Sequence, residues 1–327
     1  MLKRTLIALA LMAGSSVSPA QAQPQAATTW PQKPVRLLVG FAAGGNTDTV
    51  ARVLAARMQE LVGHPVVVEN RAGAGGVIAT EMVAKALPDG HTLLMSSLGP
   101  HTVSPSLLKS VGFDPVADLA PVSNIAENAL VLMVNNALPV RSVRDLVAWE
   151  KSHAGQLSFG SSGVASTTHL SGEVFNRMTG TRMVHVAYRG GALAIVGLIG
   201  GDIQVMFANL SDALPQIAAG KVRAIAVTSP HRVPQLPDLP SVADSGLPGF
   251  DVSPWNGLVA PGRTPPEVIA RIAEVAQRIV RETAFRERMI EIGSQPVGDT
   301  PEQFRATIAN DIQRWSRIVR EAGIKAE

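Results

Sequence analysis

The chain has 327 residues, with 29 lysines and arginines against 26 aspartates and glutamates, and no cysteine. That length accommodates two domains of typical size, and the missing thiols exclude disulfides and thiolate chemistry. Basic residues are scattered with no aromatic–basic stripe, which argues against a nucleic-acid partner. Aromatics are only 4% of the chain, too few for a pocket walled by stacked rings.

The first residues read as an address and not as fold. Lys3 and Arg4 give a positive start, Thr5 to Ala13 an apolar core, and Ala20-Gln21-Ala22 a small-x-small cleavage site. A secretory signal peptide over 1–22 is expected, with Gln23 as the new N-terminus of an exported chain. The apolar run falls well short of the roughly 20 residues of a membrane span, so no membrane insertion is expected. Loss of Lys3 and Arg4 leaves 27 basic against 26 acidic side chains, so the formal charge of +3 overstates any attraction to anions.

Val35 to Arg52 reads as a buried strand, a glycine turn and a helix. Val35, Leu37, Leu38 and Val39 form the short apolar run of a covered strand. Gly44 and Gly45 follow, with Asn46 as the expected N-cap and Thr47, Asp48 and Thr49 in the first turn. Such a junction turns unpaired N–H groups and a positive helix end toward an anion. Pro65 to Glu69 is a second strand, and Gly73-Ala74-Gly75-Gly76 opens another helix. A dinucleotide fingerprint fails there because Ile78 stands where glycine or alanine is needed; a turn for close helix–strand packing is expected instead. Thr92 to Met95 is a third strand, ending in Ser96 and Ser97. This order predicts a parallel α/β unit.

Leu130 to Val134 is another apolar run, and Ser142 to Asp145 has capping-box form. A second strand–turn–helix junction follows at Leu157 to His169, with Ser161, Ser162, Ser166, Thr167 and Thr168 crowded around one helix start. A structural cap needs one hydroxyl, so the surplus points to a ligand. Strands are expected at Val184 to Tyr188, Ile203 to Phe207 and Val222 to Val227, with a helix over Ala192 to Ile199. A surface loop spans Pro230 to Pro248, and Val252 to Ala260 returns to the first domain. Thr264-Pro265-Pro266-Glu267 and Thr300-Pro301-Glu302-Gln303 each have the form of a helix start. The helices behind them carry apolar stripes, Val268 to Ile279 and Phe304 to Val319, that read as core.

Two helix starts in two α/β units, facing across a cleft, can share one small anion. A carboxylate is the expected ligand, with phosphate the sharper alternative. Gly160-Ser161-Ser162-Gly163-Val164 is close to a nucleophile elbow, but Val164 replaces the closing glycine. His169 lies in the same helix as the serines, unlike a triad base. A secreted serine hydrolase is therefore the second reading, with Ser162 as nucleophile. No metal-ligand cluster or Walker lysine occurs, and neither metal nor cofactor is expected.

Phe41-Ala42-Ala43-Gly44-Gly45-Asn46-Thr47-Asp48, Asn70-Arg71-Ala72-Gly73-Ala74-Gly75-Gly76, Gly160-Ser161-Ser162-Gly163, His169-Leu170 and Tyr188-Arg189-Gly190-Gly191 follow one another in the order found in the Bug family. The chain resembles these substrate-binding receptors of tripartite tricarboxylate transporters from about Trp30 to its end. The resemblance implies a type II periplasmic-binding-protein fold, two α/β domains joined by two crossing strands with a ligand cleft between them. Domain 1 would comprise 29–129 plus 251–327, and domain 2 would comprise 130–250. It also implies a small organic carboxylate ligand, partly held through ordered water, hinge closure, no catalysis, and membrane transporter subunits as partners of a monomer. A receptor feeding a sensory partner uses the same cleft. The expected ligand contacts are Phe41, Gly44, Gly45, Asn46, Thr47, Asp48, Ser97, Ser161, Ser162, Gly163, Ser166, Thr167, His169 and Asn209. Asn46 stands where the family commonly has serine, Ala42 and Ala43 replace prolines, Ala165 and Leu193 replace a frequent glycine and a common proline, and Gln204 replaces a common aspartate.

Overall fold

The computed structural model describes residues 30–108 and 110–322; the expected signal peptide lies outside them. The chain builds one sheet, crosses to a second, and comes back. β1 (Val35–Val39), α1 (Asn46–Val62), β2 (Val66–Asn70), α2 (Val77–Ala84) and β3 (Thr92–Ser97) come first. In β1, Val35, Leu37 and Val39 enter one core while Leu38 enters the opposite one, because successive strand side chains take opposite faces. β2 and β3 pair in parallel on either side of β1, as the strand–helix–strand order predicts. The glycine turn before α2 serves close packing: a Cβ on Gly40 of the β1 end would lie 2.7 Å from the Gly76 Cα.

A short helix, α3 (Ser104–Leu107), precedes β4 (Leu119–Asn128). Sequence reading misses both. β4 is buried at nine of its ten residues, on both faces, so no alternation marks it, and Pro121 argues against a strand. That proline falls where the pairing register with the neighbouring strand shifts, a place that tolerates it.

β4 runs directly into the second sheet. There β5 (Leu130–Asn135), α4 (Val143–Ser152), β6 (Ser158–Ser161), α5 (Thr167–Thr179), β7 (Val184–Ala187), α6 (Gly191–Gly200), β8 (Val205–Asn209), α7 (Leu210–Ala218) and β9 (Val222–Val227) follow. After the proline-rich loop, β10 (Trp255–Pro261) returns to the first sheet. α8 (Pro266–Arg281), α9 (Thr283–Glu291), β11 (Ser294–Pro296) and α10 (Pro301–Ala322) complete the chain. The first sheet has the order β11-β4-β10-β3-β1-β2 and the second β7-β6-β8-β5-β9. The two crossings lie side by side, the Asn128 N–H donating to the Pro254 carbonyl at 2.7 Å.

One apolar cluster runs through both sheets, from Leu38 and Leu94 to Phe159 and Phe207, by way of Trp255, Phe304 and Trp315. Trp255 is held by α10: it meets Phe304 edge-on at 5.0 Å and donates Nε1–H to Asp311 Oδ2 at 2.8 Å. The α8 stripe is buried throughout, and the α10 stripe is buried apart from a half-buried Ile312.

Two expected caps differ. Gly45, not Asn46, occupies the N-cap of α1, because the Asn46 amide is taken by Asn128, Ser211 and Ser294. α8 starts one residue late, at Pro266, because the Thr264 hydroxyl donates to the Pro261 carbonyl. The Thr300 device does form: Gln303 N–H donates to Thr300 Oγ1, and the Thr300 N–H to Gln303 Oε1.

Candidate functional site

Four helix starts meet in one cleft between the sheets. Its wall is made of Phe41, Gly45, Asn46 and Thr47 at α1, Ser162 and Thr167 at α5, Gly191 at α6, and Asn209 and Asp212 at α7. Ser97 closes it from the end of β3, and Asn128, Pro254, Trp255 and Asn256 from the crossings. About 400 Å³ of empty space, mouth included, lies between them. No lysine, arginine or histidine is among these residues. Negative charge there meets helix N-termini and neutral donors, each helix end contributing roughly 0.3–1 kcal/mol.

A buried chain of side chains places Thr47. Ser294 Oγ donates to Asn128 Oδ1 at 2.6 Å, Asn128 Nδ2 to Asn256 Oδ1 at 2.8 Å, and Asn256 Nδ2 to Thr47 Oγ1 at 3.1 Å. The threonine hydroxyl therefore accepts from the scaffold and keeps its own proton for a ligand acceptor. Ser97 Oγ is buried with no hydrogen-bond partner. A buried unpaired hydroxyl costs about 1–3 kcal/mol, so its place on the wall suits an acceptor arriving in the cleft.

Of the fourteen residues singled out in sequence, Phe41, Gly45, Asn46, Thr47, Ser97, Ser162, Thr167 and Asn209 lie on this wall. The other six have structural partners and lie off it. Gly44 takes a left-handed φ of +85° and donates its N–H to Asp48 Oδ2. Asp48 also accepts from Arg52 Nε at 2.9 Å and Asn70 Nδ2 at 2.8 Å. Burial alone would raise its carboxyl, but these hydrogen bonds, Arg52 foremost, hold it below the ordinary value. Ser166 caps α5, accepting from the His169 N–H and donating to the Gly163 carbonyl. Ser161 Oγ meets His185 Nε2 at 2.6 Å, deep under the turn. His169 accepts from the Ala165 N–H at Nδ1 and lies against His185, ring centres 4.0 Å apart and planes tilted by 30°. The hydroxyl surplus at α5 is thus largely a self-satisfied cap, with Ser162 and Thr167 left at the cleft.

Gly163 serves the contact between lobes. It faces Gly75, and a Cβ on Gly75 would sit 2.0 Å from the Val164 carbonyl oxygen. The geometry also bears on the hydrolase reading. Ser162 Oγ meets Thr168 Oγ1 at 3.0 Å and no imidazole, while Ser161, whose hydroxyl does meet an imidazole, is fully buried.

Sequence reading missed Asn128, Gly191, Asp212, Pro254, Trp255 and Asn256. Asn128 is hidden with β4, and Gly191 enters the sequence reading only within the Tyr188-to-Gly191 motif, one residue before the expected helix. An aspartate three residues after Asn209, the N-cap of α7, is a visible signal for Asp212, since acids favour a first helical turn, but nothing local tells that this turn faces a ligand cleft.

The family model described as tripartite tricarboxylate transporter family receptor matches residues 50–324. Protein BugT of Bordetella pertussis is 39% identical over 305 residues, spanning 93% of this chain and 94% of that protein. Among solved structures, Rpa4515 of R. palustris with adipate superposes with a TM-score of 0.88 at 35% identity, covering 90% of this chain and 99% of that one. MatC from Rhodopseudomonas palustris with bound malate gives 0.85 at 32%, covering 89% and 100%. Among the described residues, no helix is long and apolar enough to cross a membrane. The two sheets, the cleft between crossing strands and these likenesses agree: the chain belongs to the tripartite tricarboxylate transporter receptors, the Bug family, which are solute-binding receptors and not enzymes.

Proposed function

We propose that this protein is a periplasmic receptor that captures a small organic carboxylate in the cleft and delivers it to a tripartite tricarboxylate-type transporter in the membrane. The lobes would be 29–129 plus 251–327 on one side and 130–250 on the other. The observation that carries this reading is the convergence of four helix N-termini on a cleft without cationic side chains, lined by Thr47, Ser162, Thr167 and an unpartnered Ser97 hydroxyl. Neutral donors hold an anion firmly enough for capture and still let it leave. Adipate and malate in two structural relatives support the ligand class, and the signal-like first 22 residues support the compartment.

Calorimetry of the mature protein against mono-, di- and tricarboxylates and amino acids tests this. Micromolar or tighter binding of at least one is expected, at about −8 kcal/mol. Thr47→Val and Ser97→Ala should each weaken it by about 1–3 kcal/mol, the cost of a missing donor to a buried charge. Silence across the panel with folded protein overturns the reading, and full affinity in both variants moves the ligand away from α1 and β3.

A further inference from the structure

One wall residue does not fit a site built only for anions. Asp212 stands in the first turn of α7 and lines the cleft. Its Oδ1 accepts from the Ser211 hydroxyl at 3.3 Å. Its Oδ2 is enclosed and has no well-formed hydrogen bond, with the Asn209 amide and the Asn46 backbone N–H as the carboxyl's other neighbours, although the residue as a whole keeps some contact with solvent. A Cβ on Gly191, the first residue of α6, would sit 2.7 Å from that oxygen, so the carboxyl lies beside another of the helix starts that would attract the ligand's acid group. It is the one acidic side chain on the wall, and among the described residues no basic side chain lines the cleft to balance it.

A ligand bearing only carboxylates would bring like charge to this oxygen. A ligand that also carries an ammonium group gives it what it lacks, since an ionised carboxyl is an acceptor with several open lone pairs. The charges then close: ligand carboxylate on the helix ends, ligand ammonium on Asp212. Resting on the carboxylate reading above, we propose that Asp212 makes this cleft selective for carboxylates with a protonated amine beside the acid group, that is, for amino acids.

Surroundings give the selection a pH signature. Burial pushes the Asp212 carboxyl up to about 7, with the Asn209 amide, the Ser211 hydroxyl and the Asn46 backbone pulling weakly the other way. Of the elements packed around it, α6, β5 and β8 carry no charged side chain. β9 carries Arg223, engaged with the Leu138 and Val140 carbonyls. The first turns of α1 carry Asp48 and Arg52, paired with each other, and the turn before α6 carries Arg189. Raising the pH through 7 ionises Asp212, which strengthens its hold on an ammonium and its repulsion of a bare acid.

Calorimetry with matched pairs reads this directly: aspartate against succinate, glutamate against glutarate, alanine against propionate, each at pH 6.5 and 8. In at least one pair the amine-bearing member should bind ten-fold or more tightly at pH 8. Its affinity should rise several-fold from pH 6.5 to 8 while that of an amine-free partner falls. Asp212→Asn should bring the ratio within about three-fold and flatten both pH trends. Equal or tighter binding of the amine-free members by the natural protein, or an unchanged ratio in the variant, overturns the role of Asp212 and leaves the carboxylate reading standing. Silence of all six overturns this assignment too, and if the wider carboxylate panel is also silent that reading goes with it. Should Asp212→Asn fail to fold, the opposed pH trends of the natural protein decide alone.

Discussion

Thr47 shows how a single side chain becomes a ligand donor. Its hydroxyl is fixed by Asn256, Asn256 by Asn128, and Asn128 by Ser294, so three separate segments orient one proton. Three histidines illustrate the opposite use of burial. His101 is fully enclosed between Ser96 and the Pro115 carbonyl, while His169 and His185 pack against each other beneath the α5 turn. Burial lowers their pKa values to about 4, 3 and 4 respectively, and at His169 the neighbouring His185 ring adds to the cost of charging. In the unfolded chain a histidine titrates near 6.5. The unfolded state therefore binds more protons between about 6.5 and 4, and the stability these residues contribute is present above 6.5 and lost as pH falls. Each contributes up to about 1.4 kcal/mol per pH unit in that window. Urea midpoints should drop from pH 7 to pH 5, and a flat midpoint would show the rings charging freely in the fold.

Among elements, the helix starts decide what the cleft attracts, and the glycines beside them decide how closely the lobes approach. Gly75 has a φ of +62° and meets Val164 across the lobe contact. Alanine there costs about 1 kcal/mol in left-handed backbone and also forces its methyl into a carbonyl that belongs to the other lobe. Because the clash exists only when the lobes meet, Gly75→Ala should weaken ligand binding by ten-fold or more while the melting temperature of the free protein changes by a few degrees at most. An affinity unchanged by this substitution would mean that the contact opens when ligand is held.

At the scale of the whole molecule, the two sheets are not independent. Trp255, Phe304 and Trp315 join their apolar interiors into one cluster, and the crossings are hydrogen-bonded to each other. The free protein should unfold in one transition, and ligand should raise the whole of it. At one hundred times its Kd, a ligand adds about 2.7 kcal/mol to stability. A scanning-calorimetry trace that separates into two steps, with only one moved by ligand, would contradict a shared core.

What the amino-acid sequence determined by itself was local. The apolar run of Val35 to Val39, the apolar stripes of α8 and α10 and the capping box at Thr300 are set by neighbours within a few residues, and all three can be read without coordinates. So can the glycine turns at α1 and α5, because a helix start needs its polar and small residues close by in the chain. The resemblance carried in those turns extended the reading to the fold. Tertiary structure decided the rest. β4 is covered on both faces and bears no alternation to read; Asn46 left the cap for partners 82 to 248 residues away; His169 and Ser161 turned inward. The starts of α6 and α7, with Gly191 and Asp212, joined the cleft only because the second sheet brings them there. Periodicity records which face of an element is buried, but which helix ends meet across a cleft depends on contacts between segments far apart in the chain.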